Sequence, residues 1–345
     1  MPAAHPNVLV CNNPIVDFVY DAVCTAVAEH GLAARRYANS SELVADAAAL
    51  RHADVLVGLG NIKVDEPLIQ RMPRLRALVS PVSGTESFDV DAATRHGVLV
   101  AHAPTYENCR SMAEAAIMFI LALSTQLQLK CRWLAQQKPY DPRPVSTMLH
   151  GKTIGVIGYG RIARTFARLL AGWDVEILVY APRLGDQPLD AGAQKSELDQ
   201  LMARSDFVCL FAALNAESHH MINRQRLAMM KPSAFLVNVA RGGLVDERAL
   251  CDHLAARRIA GAALDTFEQE PLPADSPLRA LDNVILTPHK IGHSKESLQS
   301  LAPATVHNVL SLLDGAAPSM VRNATAVPPW NARWGGSRAV RTVSA

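Results

Sequence analysis

The segment GKTIGVIGYGRIARTFARLLAGWDVEILVYAPRLG (residues 151–185) contains a glycine turn between an apolar strand and a helix-favouring run. In this turn, Gly158, Gly160 and Ala163 follow the pattern GxGxxA. The first glycine permits a tight turn, the second lets the backbone approach a pyrophosphate, and the third position needs only a small side chain. The N-terminus of the following helix presents free N–H groups to phosphate oxygens. The stretch therefore predicts a dinucleotide-binding turn.

At the end of the second strand, the residue expected to read the cofactor ribose is not acidic. The strand ends at Tyr180, and Ala181, Pro182 and Arg183 follow it. A carboxylate here would hydrogen-bond the 2′-hydroxyl of NAD and repel a 2′-phosphate, whereas a guanidinium two residues later favours that phosphate. We therefore predict that NADP(H) is preferred, with NAD(H) possible. The alternative is that Arg183 is a solvated loop residue and that cofactor choice is loose.

Short apolar runs alternate with helix-length segments along nearly the whole chain of 345 residues. Continuous apolar strands suit parallel sheets with helices on both faces, and the length exceeds that of a single core. We predict two doubly wound α/β units. Residues 105–137 are predicted to form one long helix that is buried on several sides, because its apolar residues run nearly all round. The predicted strands include NVLVC, DVLVGLG, ALVSPV and VLVAHA before residue 104, and TIGVIG, VEILVYA, FVCLFAAL, AFLVNVA, IAGAALDTF and NVILTP after residue 151.

Composition argues against several classes of protein. A net charge of +2 is too small to indicate a general affinity for nucleic acid or anionic membrane. The longest apolar run, AAIMFILAL, is nine residues long and too short to span a bilayer. The N-terminus has no signal-peptide pattern. The six scattered cysteines form no CxxC pair, which argues against a disulfide framework or a zinc site. These features indicate a cytoplasmic protein without a metal site.

The segment after residue 325, AVPPWNARWGGSRAVRTVSA, is rich in Pro, Gly and Arg and has no periodicity. Such ends are often poorly ordered. We expect a flexible C-terminal end, with Trp330 and Trp334 available to dock onto a neighbour.

Three polar residues follow predicted strands of the second half of the chain. Arg241 comes after AFLVNVA, Glu270 after AALDTF, and His289 after NVILTP. Ligands of open α/β sheets gather beyond the carboxyl ends of the strands. An arginine can hold a carboxylate in a two-pronged hydrogen bond, a histidine can exchange a proton with an alcohol/carbonyl pair, and a nearby glutamate stabilises the imidazolium. Each residue alone also has an ordinary surface or loop explanation.

Together with these residues, several segments resemble the D-isomer-specific 2-hydroxyacid dehydrogenase family, which includes glyoxylate/hydroxypyruvate reductases and phosphoglycerate dehydrogenase. The resemblance covers about residues 50–315. It rests on the segments LRALVSPVSGTESFDVDAATRHGVLVAHAP, NCRSMAEAAIMFILAL, GKTIGVIGYGRIAR, VNVARGGLVDERAL, GAALDTFEQEPLP and NVILTPHKIGHSKES.

The resemblance implies a role for individual residues. Arg241 would clamp the substrate carboxylate and carbonyl, His289 would be the general acid in reduction, and Glu270 would be its partner. Asp265 would hydrogen-bond the nicotinamide carboxamide. The implied substrate-binding set is Val82, Ser83, Gly84, Arg241 and His289. The implied cofactor-binding set is Gly158, Gly160, Arg161, Ile162, Ala181, Arg183, Leu214, Asn215, Ala240, Arg241, Asp265 and His289.

The family fold implies two similar domains with a cleft between them and a homodimer formed through the long helix. A flavodoxin-like substrate domain would comprise residues 1–101 and 290–325. A Rossmann-type cofactor domain would comprise residues 102–289, followed by a C-terminal tail at 326–345.

We therefore predict a reductase that passes a hydride from NADPH to a small 2-oxo acid resembling glyoxylate or hydroxypyruvate. The substrate loop reads VSGTES rather than a glycine-rich version, so a family dehydrogenase with a different small acid substrate is an alternative. A second alternative, from another class, is a cofactor-sensing interaction protein resembling the corepressors of this fold. Turnover of 2-oxo acids discriminates the enzyme from the sensor.

Overall fold

A computed structural model describes residues 7–139, 145–185 and 187–336. They form two compact units, of which the first contains the chain up to Glu107 and from Lys295 onward, and the second contains Asn108–Ser294. The chain changes unit after residues 107 and 294, whereas the sequence predicted these changes after 101 and 289. The chain returns to the first unit after residue 294 rather than after residue 289, and this difference has a local cause. The hydroxyl of Ser111 donates a 3.0 Å hydrogen bond to the carbonyl of Gly292, which keeps the 290–294 segment packed within the second unit.

The described residues contain strands and α-helices in the following order. The strands are β1 (Val8–Cys11), β2 (Ala34–Tyr37), β3 (Val55–Val57), β4 (Ala77–Ser80), β5 (Leu99–His102), β6 (Thr153–Ile157), β7 (Glu176–Tyr180), β8 (Gln194–Lys195), β9 (Phe207–Leu210), β10 (Phe235–Asn238), β11 (Gly261–Leu264) and β12 (Val284–Leu286). The α-helices are α1 (Asp17–Glu29), α2 (Ser40–Ala45), α3 (Ala47–His52), α4 (Glu66–Gln70), α5 (Val90–Arg95), α6 (Tyr106–Ser124), α7 (Leu127–Ala135), α8 (Arg161–Leu169), α9 (Leu198–Arg204), α10 (Arg224–Met229), α11 (Glu247–Ala255), α12 (Lys295–Leu313) and α13 (Val327–Trp334).

The first unit is built on a parallel sheet that, within the described residues, has five strands in the order β2-β1-β3-β4-β5. Its central strands are buried on both faces, which explains their continuous apolar sequence. Helices α1, α12 and α13 pack on one face, and helices α2 to α5 pack on the other. Asn39, Asp46, Asp65 and Asp89 cap the N-termini of these four shorter helices through side-chain hydrogen bonds.

The edge strand β5 is covered by a segment that arrives late in the sequence. Ala101 pairs antiparallel with Val321, and the amide of Arg322 donates a 2.8 Å hydrogen bond to the carbonyl of Val100. Covering an edge in this way removes unpaired backbone groups that would otherwise template aggregation. It also brings Arg322 to the same end of the sheet as the loop that follows β4.

The C-terminal segment differs from the sequence-based expectation of a flexible end. Residues 327–334 form α13, and the side chain of Trp330 is fully buried in the core of the first unit. Its indole N–H donates a 2.8 Å hydrogen bond to the carbonyl of Arg76, whose guanidinium lies 4.6 Å from the ring of Trp334. The tryptophans therefore pack on their own unit, because burial of the large indole outweighs the cost of ordering the segment. Residues 337–345 of the predicted tail lie outside the described residues.

The second unit contains a parallel sheet that, in the part of the chain described, has seven strands in the order β12-β11-β10-β9-β6-β7-β8. Strand order reverses at β6, so the loops after β9 and β7 flank the loop after β6. Such a switch point is where open α/β sheets bind their ligands. The predicted doubly wound α/β class is therefore confirmed for both units.

The predicted single helix over residues 105–137 is wrong in its continuity. Helices α6 and α7 are separated at Gln126, which has a φ of 53°, and they are bent by 59°. The predicted burial on several sides is confirmed for α6, whereas no residue of α7 is buried. Among the described residues, no single helix is long and apolar enough to cross a membrane, although the bent pair α6 and α7 together meets that length and composition.

Replacement of Trp330 by alanine is expected to destabilise the first unit by about 3–5 kcal/mol, because it leaves a large cavity and removes the hydrogen bond to Arg76. Urea unfolding followed by circular dichroism measures the effect. Trp173→Ala is the control, because that side chain is 39% exposed and is expected to cost less than about 1 kcal/mol. Identical unfolding curves for the wild type and Trp330→Ala would contradict the docking of α13.

Candidate active and cofactor site

The glycine turn after β6 has two glycines with different surroundings. Gly158 has a φ of 86°, and a Cβ at this position would lie 2.6 Å from the backbone nitrogen of Ala212. Glycine is therefore required for the turn and for the close approach of the chain leaving β9. A Cβ at Gly160 would meet nothing within 4 Å, so the chain is open on the side where a pyrophosphate would approach.

Helix α8 begins immediately after Gly160, and within the described ranges no side chain forms a capping hydrogen bond at its N-terminus. The backbone N–H groups of its first turn, which includes Arg161 and Ile162, face the end of the helix at which Gly160 lies. Ala163 is fully buried against the sheet, as the small third position of the pattern requires. An uncapped helix N-terminus beside an open glycine fits a dinucleotide pyrophosphate.

The loop after β7 carries Ala181 and Arg183. Ala181 is partly buried at the end of the strand, where a ribose-binding acid would otherwise stand. Arg183 is 75% exposed, and its Nη2 lies 2.6 Å from Oε2 of Glu217, which is 78% exposed. The guanidinium predicted to read a 2′-phosphate is thus paired with a carboxylate from the loop after β9.

The loop after β9 is shaped by Asn215. Its Oδ1 accepts hydrogen bonds from the backbone amides of Glu217 at 2.9 Å and Ser218 at 3.0 Å. The side-chain oxygen therefore forms the turn, and the cofactor contact that the resemblance implies for Asn215 stays a prediction. Leu214 packs inward, with a methyl group 3.1 Å from where a Cβ at Gly243 would lie.

Arg241 follows β10 in a turn that Asn238 holds. The side-chain NH₂ group of Asn238 donates a 2.9 Å hydrogen bond to the carbonyl of Arg241. The side-chain oxygen of Asn238 accepts a 3.0 Å hydrogen bond from the backbone amide of Ala240. Asn238 is only 1% exposed. The Arg241 guanidinium in turn donates 2.7 Å to the carbonyl of Ala240. A buried polar side chain therefore determines where the arginine leaves the strand.

The turn at Arg241 lies beside the segment that follows β11. A Cβ at Gly242 would lie 1.9 Å from the carbonyl carbon of Phe267, so only glycine allows the two backbones to approach this closely. This contact brings the neighbourhood of Arg241 to the segment that carries Glu270.

His289 is presented by a turn that Asp265 organises. Asp265 is 1% exposed, and its Oδ1 accepts hydrogen bonds from the hydroxyl of Thr287 at 2.6 Å, the amide of Lys290 at 3.0 Å and the amide of Ile291 at 3.2 Å. His289 has a φ of 54°, a left-handed conformation that is strained for a non-glycine residue. The bonds on either side of His289 hold it in this conformation.

Glu270 and His289 form a direct pair. The Nδ1–H of His289 donates to Oε2 of Glu270 at 2.7 Å, and the amide of Phe267 donates to Oε1 at 3.0 Å. Partial burial by itself would raise the pKa of Glu270, but the hydrogen bonds from His289 and Phe267 and the charges of His289 and Arg241 together lower that pKa. Glu270 is therefore ionised, and its carboxylate lies within the electrostatic influence of both predicted partners.

In the first unit, the loop containing Val82, Ser83 and Gly84 has its carbonyl groups engaged. The carbonyl of Val82 accepts from the amide of Ala103 at 3.0 Å, and that of Gly84 accepts from the hydroxyl of Ser80 at 2.6 Å. The carbonyl of Ser83 accepts from His102 Nδ1 at 3.1 Å and from Arg322 at 2.6 Å. The amide of Val82 also donates a 3.4 Å hydrogen bond to the hydroxyl of Ser80, so the loop is held by residues of its own unit.

Sequence reasoning gave little or no weight to several residues that shape these loops. Asn238 ends an otherwise apolar strand, and a buried amide in FLVN could have drawn attention to the turn. Thr287 stands next to the histidine segment and could have been noticed for the same reason. Glu217 and Arg322 carry no local signal, because their partners lie 34 and 239 positions away in the sequence. Asp246 caps α11 by accepting a hydrogen bond from the amide of Ala249.

The chain is similar in sequence to known proteins. Residues 117–290 match the family model of the D-isomer specific 2-hydroxyacid dehydrogenase NAD binding domain. The chain is 37% identical over 275 residues to glyoxylate/hydroxypyruvate reductase B of Pectobacterium carotovorum, covering 78% of this chain and 85% of that protein. It is 35% identical over 280 residues to a glyoxylate reductase of Thermofilum pendens, covering 79% and 82%.

A solved structure supports the same relation. The crystal structure of D-lactate dehydrogenase from Aquifex aeolicus, complexed with NAD and lactic acid, matches with a TM-score of 0.78 and 28% identity, covering 90% of this chain and 96% of that one. These likenesses extend through both units rather than the nucleotide-binding part alone. The chain therefore belongs to the D-isomer specific 2-hydroxyacid dehydrogenase family and is an NAD(P)-dependent oxidoreductase of that family.

Proposed function

We propose that this protein is an NADP(H)-preferring reductase that converts a small 2-oxo acid resembling glyoxylate or hydroxypyruvate into a D-2-hydroxy acid. The observation that carries the proposal is the 2.7 Å hydrogen bond between His289 and Glu270 within the electrostatic reach of Arg241. A proton donor and a carboxylate-binding cation at one sheet edge are what reduction of a 2-oxo acid requires. The glyoxylate reductases among the relatives support this substrate class.

His289 is the proposed general acid. Its Nδ1–H is engaged by Glu270, so Nε2 is the atom that gives the proton to the substrate's carbonyl oxygen. Glu270 carries a negative charge because its pKa is lowered, and this charge stabilises the imidazolium before the proton leaves. The left-handed turn held by Asp265 determines the direction in which the ring is presented.

Arg241 is the proposed carboxylate clamp. A guanidinium donates two parallel hydrogen bonds to a carboxylate, and it also polarises a neighbouring carbonyl. Asn238 positions the turn from which this side chain departs. In the first unit, we propose that the amides of the Val82–Gly84 loop bind the substrate carboxylate.

The nicotinamide cofactor supplies the hydride when it is bound. We assign the pyrophosphate to Gly158, Gly160, Arg161 and Ile162, on the basis of the open glycine and the uncapped helix. Preference for NADP(H) rests on the absence of an acid at Ala181 and on the guanidinium of Arg183 two residues later. NAD(H) is proposed as the weaker cofactor.

We further propose that two copies associate through the second unit. Large apolar side chains are exposed along α6, α7 and the segment after residue 144, namely Met118, Leu127, Leu134, Val145 and Met148, with exposures of 42%, 54%, 83%, 72% and 76%. A concentration of this kind indicates a protein-binding surface. A second copy of the chain is the proposed partner, as in the homodimers that the family resemblance implies.

A reducing compartment suits this chain, and we propose the cytoplasm. All six cysteines lie within the described residues and are free thiols. Disulfides in secreted proteins serve small domains with little core, whereas each unit here has extensive buried apolar clusters.

Replacement of His289 by glutamine is expected to lower kcat for 2-oxo acid reduction about 10²–10⁴-fold, because the proton donor is lost. The assay follows NADPH and NADH oxidation side by side with glyoxylate and hydroxypyruvate, and NADPH binding is measured separately. The matched control is His150→Gln, an exposed histidine that lies 3.7 Å from the carboxylate of Asp174. Undiminished turnover by His289→Gln, or NADPH binding by the wild type without any turnover, would contradict the proposal.

Replacement of Glu270 by glutamine is expected to lower kcat for 2-oxo acid reduction and to remove the acid limb that the Glu270 carboxylate contributes to the reduction rate profile, because a neutral amide has no charge to lose as the pH falls. In the wild type, the lowered pKa of Glu270 keeps its carboxylate ionised, and the pair with His289 intact, even as the pH falls into the ordinary glutamate range. Its contribution is lost only as pH falls through the lowered value. Glu268→Gln is the control, because Glu268 pairs with His220 at 2.7 Å instead. Superimposable profiles for Glu270→Gln and the wild type would remove the proposed role of Glu270.

Replacement of Leu134 by glutamate is expected to convert a dimer into a monomer, because a charge would be buried in the proposed interface. Size-exclusion chromatography with light scattering measures the mass. Phe18→Glu, at an exposed apolar position on α1 of the first unit, should leave the dimer intact. A monomeric wild type, or a dimer unaffected by the change at Leu134, would refute this interface.

A further inference from the structure

The ion pair between Arg183 and Glu217 joins two loops that stand on either side of the glycine turn. Arg183 follows β7 and Glu217 follows β9, and both strands are hydrogen-bonded to β6. Because all three strands are parallel, their following loops lie at the same edge of the sheet. The 2.6 Å contact between Arg183 Nη2 and Glu217 Oε2 therefore spans the edge where the turn after β6 would hold a dinucleotide.

Glu217 reaches this place from a turn with a defined geometry. Asn215 Oδ1 accepts hydrogen bonds from the amides of Glu217 and Ser218, and the hydroxyl of Ser218 accepts 2.8 Å from the amide of Asn215. The same hydroxyl donates 2.8 Å to the carbonyl of Ala213, and Ser218 is 9% exposed. This network fixes the backbone of Glu217 opposite Arg183, although both charged ends are exposed.

We propose that Glu217 is a specificity-determining residue that weakens NADP(H) binding by occupying Arg183. This inference rests on the proposed NADP(H) site. A 2′-phosphate carries a charge of about −1.5 to −2 near neutral pH, and it must displace Glu217 from the guanidinium or share the guanidinium with it. The 2′-hydroxyl of NAD(H) is neutral, so NAD(H) does not have to displace Glu217 from the guanidinium. The side chain at 217 thus sets the ratio of the two affinities rather than cofactor affinity in general.

The size of the effect follows from the exposure of the pair. Exposed ion pairs are weak and screened by salt. Displacement of Glu217 from Arg183 therefore costs little free energy, and NADP(H) still binds. Removal of the Glu217 charge is expected to tighten NADPH binding by roughly 2–5-fold at low ionic strength, and to change NADH binding by less than about 2-fold. High salt should reduce the difference, because it screens the competing charges.

The experiment measures dissociation constants of NADPH and NADH by fluorescence titration for the wild type, Glu217→Gln, Arg183→Gln and the double variant. Glu217→Gln should bind NADPH more tightly, and Arg183→Gln should bind it more weakly. The gain from Glu217→Gln should shrink when Arg183 is absent, since coupled residues are not additive. The control is Glu176→Gln at the opposite end of β7, where Glu176 pairs with Arg204 at 2.6 Å.

The outcomes separate this proposal from the proposed cofactor preference. A wild type that binds NADPH no better than NADH refutes that preference, yet a raised NADPH/NADH affinity ratio in Glu217→Gln still supports the role of Glu217. An unchanged NADPH/NADH affinity ratio in Glu217→Gln overturns the proposed role of Glu217. Weaker NADH binding by Glu217→Gln also overturns it, because Glu217 would then be a ribose ligand. An equal gain with and without Arg183 refutes competition for the guanidinium.

Discussion

The buried carboxylate of Asp265 is the constraint on which the geometry of this site depends. One of its oxygens accepts hydrogen bonds from the hydroxyl of Thr287 and from the amides of Lys290 and Ile291, residues on both sides of His289. The histidine backbone is left-handed, a conformation that costs energy and persists only when its surroundings enforce it. Without these bonds, the ring would not be held against Glu270 at 2.7 Å.

The same construction recurs at the strand end that carries Arg241. Buried polar side chains hold the backbone, and half-exposed or exposed groups do the proposed chemistry. Asn238, which is 1% exposed, organises the turn at Arg241 in the way that Asp265 organises the turn at His289. A charge that must reach a ligand needs access to solvent, whereas its support needs burial to be rigid. This division explains why the supporting residues are amides and carboxylates that satisfy several backbone groups at once.

Much of the fold and part of the site could be predicted from the sequence, where the signal is local. The apolar strands and the glycine turn each depend on neighbours a few positions away. The continuous helix over residues 105–137 was a wrong prediction, because composition does not reveal the left-handed residue at Gln126. The flexible C-terminal end was another wrong prediction. No residue near Trp330 in the sequence indicates that its indole is buried in the core of the first unit and hydrogen-bonded to the carbonyl of Arg76. The roles of Arg241, Glu270 and His289 in the reaction remain predictions.

By itself, the sequence determined the strand-turn-helix at residues 153–169, the need for glycine at 158 and the missing acid at Ala181, because these are properties of adjacent residues. Only the tertiary structure decided the partners of the charged groups. Glu217 meets Arg183 from 34 positions away, and Arg322 meets Ser83 from 239 positions away. Such pairs depend on strand order, and side chains attached to neighbouring strand ends meet only after the sheet has assembled.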